Sequence, residues 1–248
     1  MRVALDDNLT RGNILFKTPY QLISEEATYL LDESIGQLEV TYSGQEIIIK
    51  NEQRWLEFRN FTRIELSPLG EGTFQWNGIP YQGQLIFQRF DKAVLAINIL
   101  PLPEYLKGVV PYEIPSYSEE YYQAVIAQSI AARTYAYYQM THARNPYFDL
   151  YADTRDQVYK GQKYKSPLAE KAILETMGLI LQDKQNDIRK IQYHSTCGGT
   201  INQSYIDDES IPVGSLVKDY SSEDFNCVAS PYYRWVSKMT MREILQNL

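Results

Sequence analysis

Almost every apolar stretch in the first hundred residues is short, alternating, and cut off by turn residues, and this restricts that part of the chain to extended structure. Leu38–Tyr42, Gln45–Ile49, Thr62–Leu66, Tyr81–Phe87 and Ala93–Ile99 read as strands, because a period of two lays one apolar row on one face of a pleated chain. The breaks at Ser43-Gly44, Pro68-Leu69-Gly70 and Asn77-Gly78 are residues that tight turns favour. Met1–Leu5 also leads directly into a strand-like pattern, and no helix is expected before about Pro101.

The character changes after that point. Ser116–Met140 is a helical run, and Ser116 with Glu119 has the spacing of a capping box, which predicts a helix start at Ser116. At about 100° per residue, Tyr122, Val125, Ile126, Ser129, Ala136, Tyr137 and Met140 fall on one side, with Arg133 in the middle of the stripe. A guanidinium there must be paired or reach outward. Two readings stand: an ion pair to the Asp149–Asp156 segment, or an arginine that orients Glu113 or a ligand. A second helix is predicted at Pro167–Met177, with Ser166 as N-cap, Pro167 in the first position and Gly178 past the end. Leu179–Leu181 and Ile188–Tyr193 read as a hairpin across Asp183–Asp187 that delivers His194 to a strand end. The fold class is α+β, with a strand-rich N-terminal region over residues 1–100 followed by a helix-and-sheet catalytic core over residues 101–248.

A chain of 248 residues can bury a sizeable core. Its formal charge of −7 argues against nucleic acid or an anionic membrane as the main partner, because neither polyanion gains counterion-release energy on this surface. A neutral polymer such as a glycan fits better. The 21 tyrosines suit sugar stacking and half-buried packing alike. No apolar stretch is long enough to span a bilayer, and two cysteines do not fix the redox compartment.

The residue that points most directly to chemistry is Glu113. It lies in a short apolar turn between Pro111 and Pro115, where a carboxyl group loses water and its pKa rises, which makes it a candidate general acid. The opposing reading is an acid that interacts with the N-terminus of the following helix, which would lower its pKa. His194 is open to several roles, as base, ligand or hydrogen-bond partner. A Ser195–His194 nucleophile pair is disfavoured, because adjacent residues of a strand point to opposite faces.

These residues belong to four ordered blocks. Glu104–Pro115 (EYLKGVVPYEIP) with Gln128–Ala136 (QSIAARTYA) resembles the YLxGVVPxEMP turn and AQAVAARTYA helix of the stage II sporulation protein D (SpoIID) and amidase-enhancer (LytB) family, with Ile114 in place of the usual Met. Asp149-Leu150, Asp153-Thr154 and Gln157–Gly161 (QVYKG) resemble its DLxxTTxxQVYxG. Tyr193–Thr200 (YHSTCGGT) resembles its YHSxxGGxT, and Cys227 with Ser230–Trp235 (SPYYRW) its C…SPxYxW.

The resemblance implies peptidoglycan glycan strands as substrate and, in some members, lytic transglycosylase activity: a single acid/base, here Glu113, assists attack of the C6 hydroxyl of N-acetylmuramic acid on its own anomeric carbon. Other members are described as noncatalytic modulators of a cell-wall amidase, which makes an amidase the alternative partner. It further implies substrate contact by Arg133, Gln157, Tyr159, His194, Ser195, Thr196, Gly198 and Gly199, with Gln157 and Tyr159 along the floor of a groove between Glu113 and His194. No cofactor is implied. Some members carry a Cys-x3-His-Cys cluster at the block matching residues 151–156. Tyr151, Arg155 and Asp156 stand there in this chain, so no zinc is expected at that place. Cys197, His194 and Cys227 could collect a metal only with a fourth ligand, at a spacing that is not a known zinc pattern. An extracytoplasmic location follows from the resemblance, with an export signal or anchor expected upstream of Met1 and further sequence after Leu248. In an oxidising compartment Cys197 and Cys227 are candidates for a disulfide.

Overall fold

The computed structural model describes residues 1–24, 27–51, 56–60, 62–191, 193 and 230. The strands are β1 (Arg2–Asp6), β2 (Arg11–Phe16), β3 (Tyr20–Ile23), β4 (Thr28–Leu31), β5 (Gln37–Ser43), β6 (Glu46–Asn51), β7 (Leu56–Asn60), β8 (Arg63–Pro68), β9 (Thr73–Trp76), β10 (Ile79–Gln82), β11 (Gln84–Phe90) and β12 (Ala93–Ile99). Helices α1 (Leu102–Lys107), α2 (Val110–Glu113) and α3 (Tyr122–Thr141) follow, then the short strand β13 (Leu150–Tyr151) and helix α4 (Pro167–Glu175). The fold is α+β, strands first and helices after.

The strands form two sheets, in the orders β13-β1-β12-β11-β8-β3-β4 and β10-β9-β2-β5-β6-β7. The pairing is antiparallel except where β13 lies parallel to β1. Apolar rows from both sheets meet in one core, where Trp76 packs on Phe87 with ring centroids 5.5 Å apart and Tyr20 on Phe74 at 6.0 Å. Apart from Asn98, strand β12 is apolar because it is buried on both faces. Val94 and Ala96 point into the shared core, while Leu95 and Ile97 join Ala4, Ile86 and Phe148 on the other side.

The expected strand at Tyr81–Phe87 is in fact two strands in different sheets. Tyr81 belongs to β10, paired with β9, and Leu85–Phe87 to β11, paired with β12. The chain changes sheets at Gly83, whose φ of +93° suits a residue without Cβ, and an added Cβ would lie 2.3 Å from the Ile99 carbonyl oxygen. The fully buried Asn98 holds this switch: its Nδ2 donates to the carbonyls of Gln82 and Gln84, both at 2.9 Å. At Asn77-Gly78 both residues have positive φ, 49° and 79°, as a two-residue hairpin turn demands.

Helix α3 starts at Tyr122, after a 3-10 turn at Glu119–Tyr121, and not at Ser116. The capping box is absent: the Ser116 hydroxyl is buried without a partner, and the Ser116 carbonyl instead accepts from Ser166 Oγ at 2.8 Å. The buried face is Val125, Ser129, Ala132, Arg133 and Ala136, extended by Thr134, Tyr135 and Gln139, while Tyr137 and Met140 of the expected stripe face outward. Small residues fill that face because α4 lies against it.

Arg133 makes neither of its expected contacts. It donates to the carbonyls of Ile173 (3.0 Å) and Leu179 (3.1 Å) and to Thr176 Oγ1 (3.1 Å), acceptors at and just beyond the end of α4. A helix leaves its last carbonyls without internal donors, and a cation there also opposes the negative end of the dipole. Desolvation holds the Arg133 pKa below its ordinary value.

Helix α4 has Ser166 as its N-cap, accepting from Ala169 N at 3.1 Å, with Pro167 first. It ends at Glu175, two residues before the expected Met177, with Gly178 beyond at φ +80°. The turn at residues 183–187 is present, closed by Asp183 N to the Asp187 carbonyl at 2.9 Å, but no strand flanks it within residues 179–191, so the expected hairpin does not form there. One backbone N–H of the expected first strand is engaged otherwise: Leu181 N donates to Thr134 Oγ1 of α3 at 2.9 Å. Residues Met1–Ile191 make one compact unit, in which a single core runs from the sheets to Tyr105, Val109, Val125 and Ile173 of the helices.

Arg133→Leu is expected to destabilise the protein by about 3 kcal/mol, because a buried charged donor disappears and leaves helix-end acceptors unpaired. Arg133→Lys should recover little, since one ammonium cannot span the three positions. Denaturant unfolding of both variants checks this, and a loss below roughly 0.5 kcal/mol for the leucine variant would refute the role.

Candidate functional site

Glu113 is the last residue of the one-turn helix α2, which carries Pro111 in its second position and which Ile114 ends by turning extended at φ −144°, ψ 144°. The expected apolar turn is therefore two short helices, α1 and α2, joined at Gly108. The carboxyl is half-buried, and its Oε1 accepts from the Val158 backbone N–H at 3.2 Å. It does not cap α3, which begins nine residues later. Desolvation raises the Glu113 pKa and is the larger effect, while the Val158 hydrogen bond pulls the other way. Among the described residues no lysine or arginine forms an ion pair with it.

What places Val158 is a strap, residues 156–161, pinned on both sides of it at Asp156, Gln157, Tyr159 and Lys160. Asp156 accepts from Tyr135 Oη at 2.6 Å, from Tyr151 N at 2.8 Å and from Gln139 Nε2. Gln157 accepts from Tyr105 Oη of α1 at 3.0 Å and donates to the Ala132 carbonyl of α3 at 3.3 Å. Tyr159 Oη donates to Asn98 Oδ1 at 2.9 Å, and its ring packs on those of Tyr105 (4.9 Å) and Tyr81 (5.6 Å). Lys160 N donates to the Gly108 carbonyl at 3.1 Å. Gly108 is needed for that approach, since a Cβ there would lie 2.6 Å from both the Gly161 carbonyl oxygen and a Tyr159 ring carbon.

Gln157 and Tyr159 are thus core residues, 0% and 1% exposed, and not the floor of a groove. Burial pushes the Tyr159 hydroxyl well above its ordinary pKa, so it stays a neutral donor. Arg133, 6% exposed, is likewise spent inside the fold. The polar groups of all three have internal partners in this structure. His194, Ser195, Thr196, Gly198, Gly199 and the Cys197–Cys227 pair lie outside the described residues. Tyr151, Arg155 and Asp156 also have their own contacts. Arg155 lies 3.7 Å over the Tyr151 ring and pairs with Asp7 (2.6 Å) and Asp153 (2.7 Å). Among the described residues no group of three or more His, Cys, Asp and Glu side chains is placed to hold a metal.

Three buried side-chain atoms among the described residues have no hydrogen-bond partner: Tyr112 Oη, Ser116 Oγ and Gln128 Nε2. All lie in the stretch 112–128, around Glu113. Buried polar groups are nearly always paired, so each of these exceptions asks for a reason other than stability. Sequence reading passed over Asn98 and Gln128. The signal for Asn98 was an amide inside the apolar run AVLAINI, and for Gln128 its place in the QSIAARTYA block.

Two consequences are measurable. The folded chain holds the Glu113 proton more tightly than the unfolded chain, so the stability this group confers is full below its ordinary pKa of 4.5 and is lost as pH rises through the raised folded value. Glu113→Gln stays neutral, so it should match the wild type at acid pH and unfold at a higher temperature than the wild type at neutral pH; equal differences at both would contradict the desolvated state. Gly108→Ala should cost about 2–4 kcal/mol in chemical denaturation, because neither backbone nor packed ring can give way, and a neutral result would show the strap to be movable.

Residues 90–182 match the family model described as stage II sporulation protein, SpoIID. An uncharacterized protein of Brachyspira hyodysenteriae is 35% identical over 128 residues, which cover 51% of this chain and 34% of that relative. The chain thus spans about a third of the length of the relative it matches. No solved structure matches it.

Proposed function

We propose that this chain is a peptidoglycan lytic transglycosylase with Glu113 as its single acid/base; the match of residues 90–182 to the stage II sporulation protein (SpoIID) family model supports a cell-wall-related role. The observation that carries the reading is the state of that carboxyl: half-buried, raised in pKa by desolvation, held by one backbone N–H and free of any cationic partner among the described residues. An acid of this kind keeps its proton to a higher pH than an ordinary glutamate, which favours donation to a leaving oxygen.

The chemistry needs no second carboxylate. Glu113 gives its proton to the oxygen that links C1 of N-acetylmuramic acid to N-acetylglucosamine, and the C1–O bond breaks. The C6 hydroxyl of the same muramic residue closes on C1 and returns its proton to the Glu113 carboxylate. The products are a 1,6-anhydro-muramic end and a free hydroxyl on the departing sugar, with no water consumed and the acid restored. Hydrolytic glycosidases differ in needing a second group to activate water or to act as nucleophile. The Val158 N–H stabilises the carboxylate that exists between the two proton transfers, and it is rigidly placed because the strap is fixed on both sides of it. In this reading His194, Ser195, Thr196, Gly198 and Gly199 contact the glycan, and the chain works outside the cytoplasm.

Purified sacculi incubated with the protein should release anhydro-muropeptides, detected by mass spectrometry. Glu113→Gln, which keeps volume and loses the transferable proton, should reduce release by about 10²-fold or more with glycan binding retained. A Gln variant as active as the wild type would remove Glu113 from the mechanism. A wild type that binds sacculi and releases no anhydro product would instead identify a noncatalytic modulator of a cell-wall amidase.

A further inference from the structure

The strap and helix α3 run alongside each other in a fixed order. Gln128, Ala132, Tyr135 and Gln139 form one stripe of α3, at spacings of four, three and four. Tyr135 and Gln139 reach Asp156, and the Ala132 carbonyl takes Gln157. The next strap residue is Val158, whose N–H holds Glu113, and the next stripe residue, one turn of about 5.4 Å further along, is Gln128. By this order of contacts, Gln128 is the stripe residue that follows Ala132 toward Val158 and the Glu113 it holds.

Gln128 Nε2 is buried and has no partner, although the residue as a whole is only half-buried, so the amide lies at the margin of the core. The other two unpartnered atoms lead elsewhere. Tyr112 interacts electrostatically with Tyr81, a residue of the core, and Ser116 lies against the N-cap of α4. An amide N–H2 without an acceptor weakens a fold, and α3 could carry leucine at this position without that cost. The donor is best understood through what arrives next to Glu113.

We propose that Gln128 is a specificity-determining residue whose carboxamide donates to the acetamido carbonyl of the 2-acetamido sugar lying beside Glu113. The inference rests on the glycan reading above and extends it to a named contact. A carbonyl suits this donor better than a sugar hydroxyl: it is an acceptor only, whereas a hydroxyl brings a proton that would need an acceptor of its own in a largely dry place. A site that must pair a buried donor discriminates strongly against a ligand that lacks the acceptor.

The test compares an N-acetylated peptidoglycan oligosaccharide with its chemically de-N-acetylated counterpart. Binding is measured to Glu113→Gln protein, so that no cleavage intervenes, with and without Gln128→Leu. The parent should prefer the acetylated ligand by about 10-fold or more. Gln128→Leu should reduce that preference to about 2-fold or less, with thermal stability unchanged or raised because an unpaired buried donor has gone. A leucine variant that keeps the parent's preference, or one that loses stability together with binding, overturns the assignment. The two readings fail separately: if the wild type cleaves sacculi while Gln128→Leu keeps its discrimination, only the Gln128 contact falls, and if acetylated glycan is preferred through Gln128 but never cleaved, only the catalytic reading falls.

Discussion

The hydrogen-bonding of one buried amide, Asn98, ties the strand-rich and helical parts of this protein together. Its Nδ2 bridges the carbonyls on either side of Gly83, where the chain crosses between sheets, and its Oδ1 accepts from Tyr159 of the strap. Asn98 and Tyr159 are buried, so removing the amide would strand the phenol and leave two half-buried carbonyls without their donor. The position of the strap, and hence of Val158 N–H beside Glu113, is inherited from the sheets through this residue. The candidate acid is therefore set by the packing of elements far from it in sequence.

Two effects of opposite sign meet at Glu113, and their balance decides what the group can do. Burial disfavours the carboxylate, and a backbone N–H favours it. A cation in the same place would have held the group ionised and made it a poor proton donor. The arginine nearest in the sequence motifs, Arg133, is instead used at the end of α4, where its charge meets carbonyls. Packing thus keeps the permanent charge away from the acid, and desolvation prevails.

The strand-rich first part was legible because alternation reports directly on a pleated chain with one dry face, and β5, β6, β8 and β12 fall where the pattern places them. The misplaced strand at residues 81–87 shows where that logic stops: alternation carries no mark of which sheet a strand joins, and only the positive φ at Gly83 separates β10 from β11. The start of α3 was misread for a related reason. Serine and glutamate three apart form a capping box only if the backbone has already turned, and here the Ser116 carbonyl is drawn to Ser166. The raised acid at Glu113 was readable from its apolar, proline-flanked surroundings. Its partner was not, because a backbone N–H leaves no trace in residue identity. Arg133, Gln157 and Tyr159 looked like ligand-binding groups by type, yet they satisfy one another's neighbours across the fold.

The motif blocks consequently divide by what their residues do. In QSIAARTYA, Arg133 closes α4, Thr134 takes the Leu181 N–H and Tyr135 takes Asp156; in QVYKG, Gln157, Tyr159 and Gly161 are packed against α1, α3 and β10. Among the described residues of these two blocks most are therefore scaffold, and a match to such blocks speaks first for the shape that holds the site. The chemistry falls to groups the scaffold leaves unspent. Within the described residues these are the Glu113 carboxyl without a cation and the few polar atoms around it without partners. A fold that pairs its arginine, its glutamine and its tyrosine so fully inside the core has the means to pair Gln128 as well. That this buried donor stays open is the strongest physical argument that a ligand completes the site.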